Sequence, residues 1–357
     1  MTRSGRRAPR IAGGLSRRNL LKAVPVLALA PGLLAQQRPV SIPVSKLHHF
    51  GLRVSDVSRS LDFYQGLFGA PVLARQGETV CLQIGDGPYF FSLSPTRAGE
   101  PPAISQIGIS VPDFNPDRVS DQLVAHGIDR GPSPASGQSR RQAVTQTWIR
   151  SRDPDEGGDV DGTRELLFTD PDGILYQLCG PAYCGGAGPL GNRCDAIEPA
   201  SADGLLQLHE LSHFTNRVAS AERANRFHRN LFGLGFQAYQ GPNAPVIGVG
   251  DGIQFLMYIG GAQESGGEID HVCLSVQGFD VDRILSELTD YGLTSRGDNP
   301  QILPLVHYIS LRMPNRGGVE GGTPELYFSD PDGLRIQLQD PGYCGGGGYL
   351  GDACEPL

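Results

Sequence analysis

Large aromatic side chains, long apolar runs and basic clusters are scarce in this chain. Aromatic residues make up 7% of its 357 residues, and tryptophan occurs once. No apolar stretch reaches the roughly 18 residues that a membrane-spanning helix needs. Basic runs are confined to the first two dozen residues, and the formal net charge is −8. The sequence therefore predicts neither a membrane-spanning helix nor a nucleic-acid-binding surface.

Glycine and proline are abundant, with 49 and 28 residues, and hydrophobic residues make up 39% of the chain. A chain of this length with that apolar share can bury at least one full core, and we expect two. The glycine and proline content lies below the level of low-complexity chains and indicates many turns and loops. This composition excludes an intrinsically disordered protein.

The first 37 residues have the pattern of an export signal. An apolar stretch at 23–35 follows the segment Ser16-Arg17-Arg18-Asn19-Leu20-Leu21-Lys22, and this order resembles a twin-arginine signal. We expect residues 1–37 to direct export through the twin-arginine translocase, so that the protein is periplasmic or extracellular. The alternative is an amphipathic N-terminal helix or anchor, which the prolines at 25 and 31 disfavour.

Two glycine-rich loops carry cysteine pairs with the same spacing. In each loop the second cysteine follows ten residues after the first, at Cys184 and Cys194 and at Cys344 and Cys354. We predict one disulfide in each loop, worth about 2 to 3 kcal/mol. The alternative is a metal site, which the wide spacing and the lack of a nearby histidine disfavour.

The chain is a tandem repeat. The segment at 168–178, with Asp-Pro-Asp-Gly near its start and Gln-Leu at its end, recurs at 328–338. The segment at 49–54 likewise recurs at 213–218. A weakly patterned stretch separates the two copies. We therefore predict a first domain, a linker and a second domain at 46–194, 195–204 and 205–357.

Each copy divides again into two units of strand, helix and further strands. In the first unit, residues 49–54 alternate as a strand, and residues 58–68 have the apolar spacing of a helix that Gly69 ends. Two more strands are predicted at 80–84 and 89–93. The pattern predicts four βαβββ units, which is an α+β fold.

The order of these motifs resembles the vicinal oxygen chelate superfamily, which includes glyoxalase I, bleomycin-resistance proteins and extradiol dioxygenases. Three features over about residues 46–355 carry the resemblance. The first is His-x-x-x-Arg-Val followed by Phe-Tyr-x-x-Leu-Phe-Gly in the first unit, and the second is a similar pattern in the third unit. The third is Asp-Pro-Asp-Gly-x-x-x-Gln-Leu at the end of the second and fourth units. The resemblance implies two tandem domains, each a cupped mixed sheet. It leaves two pairings of units open, first with second or first with fourth.

In that superfamily a metal lies inside the cup, held from the first strand of each unit and from the last strand. The corresponding positions here are His49, Gln106, His213, His271, Gln177 and Gln337. The second domain keeps two histidines, so the resemblance implies a divalent metal at His213, His271 and Gln337, with Fe(II) favoured over Mn(II) or Zn(II). His49 is a less favoured ligand, and the first domain is expected to be a structural copy. Gln337 departs from the expected glutamate, and an amide binds a divalent ion more weakly than a carboxylate.

Glu325 is a further candidate ligand. We expect it to lie opposite Gln337 across the last hairpin, where cross-strand neighbours are about 5 Å apart. It would then complete a site of two histidines and one carboxylate, the type that holds Fe(II) with open positions. The alternative is that Glu325, like its counterpart Glu165, pairs with a surface arginine.

His307 and Tyr308 are the predicted catalytic residues. The first copy has threonine and tryptophan at these positions, and a titratable histidine in the cup suits proton transfer. The alternative is a solvent-facing strand histidine. The run His209–His213 also spells His-Glu-x-x-His, but zinc proteases need this motif on a helix, and here it opens a strand.

The sequence leaves three functions open. The leading one is a metal-dependent enzyme that acts on a small molecule with two neighbouring oxygens, with ring-opening dioxygenation as the first reaction. The second is a metal-free protein that sequesters a small molecule, as bleomycin-resistance relatives do. The third is a glyoxalase-type lyase or isomerase, which the lack of a carboxylate at Ser92 and Met257 disfavours. A small-molecule substrate and a second copy in a homo-oligomer are the partners considered.

Overall fold

The protein is built on two nine-stranded mixed sheets, one from each copy of the repeat. The computed structural model describes residues 39–132, 145–264 and 266–354. The predicted export signal at 1–37 lies outside these residues. Within the described ranges, no helix has the length and apolar character needed to cross a membrane. The pair of sheets confirms the predicted fold.

The first sheet comes from the first copy. Its strands are β1 (Lys46–Val54), β2 (Val72–Gln76), β3 (Thr79–Gln83), β4 (Phe90–Pro95), β5 (Ala103–Ser110), β6 (Asp129–Arg130), β7 (Gln146–Arg152), β8 (Thr163–Thr169) and β9 (Leu175–Cys179). Helix α1 (Val57–Phe68) follows β1, and helix α2 (Pro116–Ala125) follows β5. The strand order is β2-β3-β4-β1-β5-β9-β8-β7-β6.

The second sheet repeats this plan. Its strands are β10 (Leu208–Arg217), β11 (Phe236–Tyr239), β12 (Pro245–Gly248), β13 (Phe255–Ile259), β14 (Glu268–Val276), β15 (Thr294–Ser295), β16 (Val306–Arg312), β17 (Thr323–Ser329) and β18 (Arg335–Gln339). Helices α3 (Ala221–Phe232) and α4 (Val281–Asp290) follow β10 and β14. The order β11-β12-β13-β10-β14-β18-β17-β16-β15 pairs the third unit with the fourth. The alternative pairing of the first unit with the fourth is therefore wrong.

The residues at the ends of helices α1 and α3 explain where these helices begin and end. Asp56 accepts a hydrogen bond from the backbone N–H of Arg59 at 3.0 Å, which caps the start of α1. Gly69 ends α1 with a φ of +61°, and Gly233 ends α3 with a φ of +70°. This left-handed conformation favours glycine, so the predicted stop at Gly69 is confirmed.

Strand alternation gives each sheet two different faces. One face of each sheet packs with the helices into a shared apolar core, where the rings of Phe50 and Phe214 lie 6.1 Å apart. The other faces carry polar residues at their centres. We call these faces the first cup and the second cup, and their central residues are His49 and Gln177 in the first and His213 and Gln337 in the second.

The Asp-Pro-Asp-Gly turns form ion pairs between the two halves of the molecule. Asp332 of the second half accepts a hydrogen bond from Arg59 on α1 at 2.6 Å. Asp172 of the first half accepts one from Arg223 on α3 at 2.8 Å. Both carboxylates are largely shielded from solvent, which makes such pairs stronger than surface ones. The repeated motif therefore joins the halves as well as closing each unit.

Both predicted disulfides are present, Cys184–Cys194 and Cys344–Cys354. A buried arginine in each half also holds the same loop, because Arg152 and Arg312 each donate to a loop carbonyl oxygen at 2.7 Å. The alternative of a metal site at these four cysteines is wrong. Each glycine-rich loop is thus tied to its cup both covalently and through an arginine.

Candidate metal centre in the second cup

Three of the side chains singled out from the sequence meet at the centre of the second cup. His213 lies on β10, His271 on β14 and Gln337 on β18, and these strands are neighbours. The three residues are 2%, 7% and 1% exposed. The two imidazole centroids are 5.8 Å apart, with the rings nearly perpendicular. Two imidazoles and one amide therefore lie together on one face.

Gln337 is buried without a hydrogen bond of ordinary geometry. Neither its Oε1 nor its Nε2 makes a hydrogen bond of ordinary geometry with the described residues, although the amide lies close enough to the ring of His213 to act on its pKa. The equivalent Gln177 in the first cup is bound differently, because its Oε1 lies 3.2 Å from Nε2 of His49 and accepts from Nε2 of Gln106 at 3.3 Å. A buried amide without a partner costs about 1 to 3 kcal/mol. The amide oxygen of Gln337 is thus available to a ligand, and the residues present fit a bound divalent ion.

The ring of His271 is oriented by a carboxylate. Its Nδ1 lies 2.7 Å from Oδ2 of Asp270, and Asp270 also pairs with Arg217 and Arg335. Burial raises the pKa of Asp270, but the hydrogen bond with His271 and the nearby positive charges outweigh it and hold the pKa below its ordinary value. A carboxylate that binds one ring nitrogen leaves the other free as a metal ligand. The first cup has Ser105 in place of Asp270.

The ring of His213 is fixed by aromatic packing. It stacks on Phe255 at 4.2 Å and on Tyr343 at 5.5 Å between centroids. Burial, and then the neighbouring His271, lowers the pKa of His213 well below 6.5. The imidazole is therefore neutral at physiological pH, which is the form that binds metals.

Glu325 does not lie opposite Gln337, and that prediction is wrong. The hairpin of β17 and β18 pairs Gln337 with Tyr327, which places Glu325 two residues farther along β17. Its carboxylate is 4% exposed and accepts a hydrogen bond from Nε of Arg312 at 3.0 Å. The alternative expectation was that Glu325 pairs with a surface arginine. Glu325 does pair with an arginine, but Arg312 is buried.

His307 does not face the second cup, which corrects the catalytic role expected of it. It lies opposite Phe328 on β17, a residue of the shared apolar core. Its Nε2 lies 2.9 Å from the hydroxyl oxygen of Thr289 on α4. Alternation along β16 therefore directs His307 to the helices and its neighbour Tyr308 to the cup.

Tyr308 is the predicted catalytic residue that does lie on the cup side. Its ring stacks on Tyr327 at 5.1 Å, and Tyr327 in turn packs edge-on against His271 at 5.2 Å. The hydroxyl of Tyr308 makes no hydrogen bond of ordinary geometry with the described residues. An aromatic wall thus extends from the histidines to the hydroxyl group of Tyr308, which lies near Arg335.

A buried cluster in the first cup was missed by the sequence reasoning. Within the described ranges, the only group of three His, Cys, Asp or Glu side chains with ligand atoms within 4.8 Å of one another is His48, His49 and Cys179. The two Nδ1 atoms of the histidines are 3.2 Å apart. Burial raises the pKa of the Cys179 thiol well above its ordinary value, and the thiol is a poorer ligand than the thiolate. The adjacent histidines were the available signal in the sequence, whereas the bulge in β1 is seen only in the structure.

Comparisons with known proteins agree with this architecture. Residues 46–178 match the family described as the Glyoxalase/Bleomycin resistance protein/Dioxygenase superfamily. No curated protein sequence matches the chain.

Solved structures with a similar fold cover most of the chain. A variant of homoprotocatechuate 2,3-dioxygenase from Brevibacterium fuscum is 18% identical, with a TM-score of 0.55 over 85% of this chain and 73% of that one. The Arthrobacter globiformis enzyme of the same name is 17% identical, with a TM-score of 0.55 over 85% and 81%. The Mn(II)-bound glyoxalase from Novosphingobium aromaticivorans is 14% identical, with a TM-score of 0.53 over 83% and 82%. At these identities the similarity shows a shared fold.

Proposed function

We propose that the protein is a metal-dependent enzyme of the glyoxalase, bleomycin resistance and dioxygenase superfamily, whose family model matches residues 46–178 and whose fold the second half repeats. Its metal centre is the second cup, with His213, His271 and Gln337 as ligands. The observation that carries the proposal is the buried amide of Gln337, which lies beside two imidazoles and makes no hydrogen bond of ordinary geometry with the described residues. The names of the similar structures, two dioxygenases and a Mn(II)-bound glyoxalase, support a divalent metal.

The substrate is a small molecule with two neighbouring oxygens, and ring-opening dioxygenation is the leading reaction. A divalent metal supplies Lewis acidity when bound, and Fe(II) also supports chemistry with dioxygen. Imidazole and amide ligands carry no negative charge, so they offset none of the positive charge of the ion. This ligand set therefore favours an anionic substrate such as a catecholate over a neutral one.

The surrounding residues have separate roles in this proposal. Asp270 holds the ring of His271 in one tautomer, so that Nε2 is the ligand atom. Tyr327 and Phe255 give the cup aromatic walls that pack against a planar ring. The hydroxyl of Tyr308 lies near Arg335 and donates to no described residue in ordinary geometry, so it donates a hydrogen bond to a substrate oxygen.

A metal-free binding protein is the second candidate, and glutamine at both last-strand positions favours it. Gln177 and Gln337 replace the carboxylate of the superfamily pattern in both cups. In the first cup this glutamine hydrogen-bonds its neighbours instead of offering a free ligand atom. The metal content of the protein decides between the two functions.

We further propose that the protein acts outside the cytoplasm after export through the twin-arginine translocase. Its two disulfides support this, because disulfides persist in oxidising compartments and are rare in the cytosol. The segment that resembles the signal lies in residues 1–37.

Elemental analysis of the full chain, made in a host that exports it, tests the metal centre. We expect near-stoichiometric iron, manganese or zinc in the wild type and its loss in the double variant His213→Ala, His271→Ala. Gln337→Glu should retain metal better during dialysis against a chelator, since it adds a charged ligand. The matched control is His307→Gln, which removes a histidine of the same domain that faces α4 and should keep the metal.

Two outcomes would overturn this assignment. Wild-type protein that holds no metal, and whose melting temperature does not change with Fe(II), Mn(II) or Zn(II), would leave the binding protein as the better function. Metal that persists in the double variant would place the site elsewhere, with the cluster of His48, His49 and Cys179 as the first position to test. If the metal assignment holds, ring opening is measured by oxygen uptake with a panel of catechols.

A further inference from the structure

We propose that the first cup, which the sequence suggested to be only a structural copy, binds a small organic carboxylate. The cup contains a cavity of about 280 Å³, close to the lower end of the roughly 300 to 1,000 Å³ usual for small-molecule pockets. The cavity lies on the opposite face of the first sheet from the shared core. It is independent of the proposed metal centre, which belongs to the second sheet.

The lining of this cavity is positively charged. It includes Arg53, Arg97 and Arg150 and no aspartate or glutamate. Arg53 donates to Glu100 at 2.7 Å, while Arg97 has no ion-pair partner among the described residues. Arg150 shares the buried Glu165 with a second arginine, Arg152. The arginines around the cavity therefore outnumber the carboxylates that neutralise them, and the excess charge favours an anion.

The floor of the cavity adds a hydrogen-bond donor. Gln177 lines the cavity and is 4% exposed. Its Oε1 interacts with His49 and Gln106, whereas its Nε2 makes no hydrogen bond of ordinary geometry. A carboxylate has two acceptor oxygens, so it can accept from this amide and from an arginine at once. This donor, which lies beside the hydroxyl of Tyr183, is thus complementary to the charge of the lining.

The second cup shows that these features are not needed for the fold. Where the first cup has Arg150, the second has Ser310, and each lies opposite the buried glutamate at the equivalent position of the next strand. Where the first cup has Ser92, the second has the larger Met257 on the equivalent strand. The same backbone thus accommodates a less charged and more filled cup. The first cup has room and positive charge that its own architecture does not require.

The electrostatics of Arg53, which lines the same cavity, also favour an anion. Burial, and then the nearby charge of Arg97, lowers the pKa of Arg53, and these effects outweigh the pairing with Glu100. Like charges held close together are stabilised when an anion lies between them. A carboxylate that contacts both arginines would relieve this repulsion.

Titration calorimetry on the full chain tests the proposal with benzoate and phthalate as probes. Benzamide is the uncharged control of the same shape as benzoate, and inorganic phosphate is the competing anion. We expect both carboxylates to bind and to raise the melting temperature, and benzamide to bind at least tenfold more weakly. One charge-assisted hydrogen bond contributes about 1.5 to 3 kcal/mol, which corresponds to roughly a tenfold or greater change in affinity.

Two variants carry the residue of the second cup at the equivalent position. Arg150→Ser removes one cation and leaves Glu165 its buried partner Arg152, and Ser92→Met fills part of the cavity. We expect each to weaken benzoate binding at least tenfold. Arg164→Gln is the matched control, because its partner Asp117 lies on the exposed surface outside the cavity, and it should bind as the wild type does. A urea unfolding curve of each variant shows that it is folded.

Three results would refute the carboxylate site. They are no binding of either carboxylate at about 10 mM, equal binding of benzoate and benzamide, and unchanged binding in both cup variants. Phosphate that binds more tightly than both carboxylates would also refute the assigned ligand. Because binding here must survive the double variant His213→Ala, His271→Ala, failure of this proposal is distinguishable from failure of the metal centre.

Discussion

Replacing Asp170 with asparagine is expected to stabilise the protein at alkaline pH. Asp170 is fully buried in the first Asp-Pro-Asp-Gly turn, where its Oδ1 accepts two backbone N–H groups at 2.9 Å. Its Oδ2 has no hydrogen-bond donor among the described residues and lies 3.7 Å from Nε2 of His228 on α3. Nδ1 of His228 lies 3.0 Å from the carbonyl oxygen of Ala224 and donates to it. In the neutral ring Nε2 is then an acceptor, so a carboxylate at Asp170 faces a lone pair.

The pH dependence follows from the titration of this buried pair. Burial raises the pKa of Asp170 from 3.8 to about 7 and lowers the pKa of His228 to about 4. The native state therefore binds the Asp170 proton more tightly than the unfolded chain does. The stability that this proton contributes is complete below about pH 4 and is lost as the pH rises through about 7, a difference of at most about 4 kcal/mol. Asparagine keeps the Oδ1 acceptor and directs an N–H group towards His228.

The assay is urea-induced unfolding of wild type and Asp170→Asn, with disulfides intact, at about pH 5 and about pH 8.5. Between these pH values the unfolding free energy of the wild type should fall by about 2 to 3 kcal/mol relative to that of the variant, because the titration of His228 and of the other groups is common to both proteins. Asp330→Asn is the matched control at the repeated position. There the hydroxyl of Tyr64 donates to Oδ2 at 3.1 Å and the pKa is raised only to about 6, so the difference should be nearer 1 kcal/mol. The same pH dependence in wild type and Asp170→Asn would refute the reasoning.

Two further predictions concern the scaffold behind the cups. Arg312→Met should lower the free energy of unfolding by about 3 to 5 kcal/mol, because it leaves Glu325 buried without a cation. Arg152→Met should cost less, since Arg150 remains paired with Glu165, and urea unfolding of the two variants side by side measures the contrast; equal losses would contradict it. Replacing both cysteines of the second glycine-rich loop by serine should lower the unfolding free energy by about 2 to 3 kcal/mol, and an unchanged urea midpoint would contradict that estimate.

Features that repeat in the sequence were predictable from it. The recurrence of Asp-Pro-Asp-Gly and of the cysteine spacing predicted two copies of one fold and both disulfides, because each signal lies within a short stretch of chain. The helix stop at Gly69 was predictable for the same reason, since a left-handed residue after a helix favours glycine. The pairing of the four units was not, because it depends on contacts between strands far apart in the sequence.

The candidate site was predictable in its composition and less so in its geometry. The first-strand positions of His213 and His271 followed from the repeat. The register of the last hairpin did not, so Glu325 was placed opposite Gln337 although Tyr327 occupies that position. A shift of this kind moves a carboxylate from a ligand position to an ion pair with a buried arginine. The face of His307 was likewise undetermined until its strand partner, a core phenylalanine, was known.

The difference between the two cups depends largely on two adjacent strand positions. In the first cup these are Ser105 and Gln106, and the side chain of Gln106 donates to Gln177. In the second cup they are Asp270 and His271, whose side chains bind each other. His271 therefore binds Asp270 rather than Gln337, and Gln337 is left buried without a hydrogen bond of ordinary geometry. The glutamine at this position is therefore held through its oxygen by two neighbours in one cup and is available as a metal ligand in the other, so a duplicated scaffold can hold two chemically different sites.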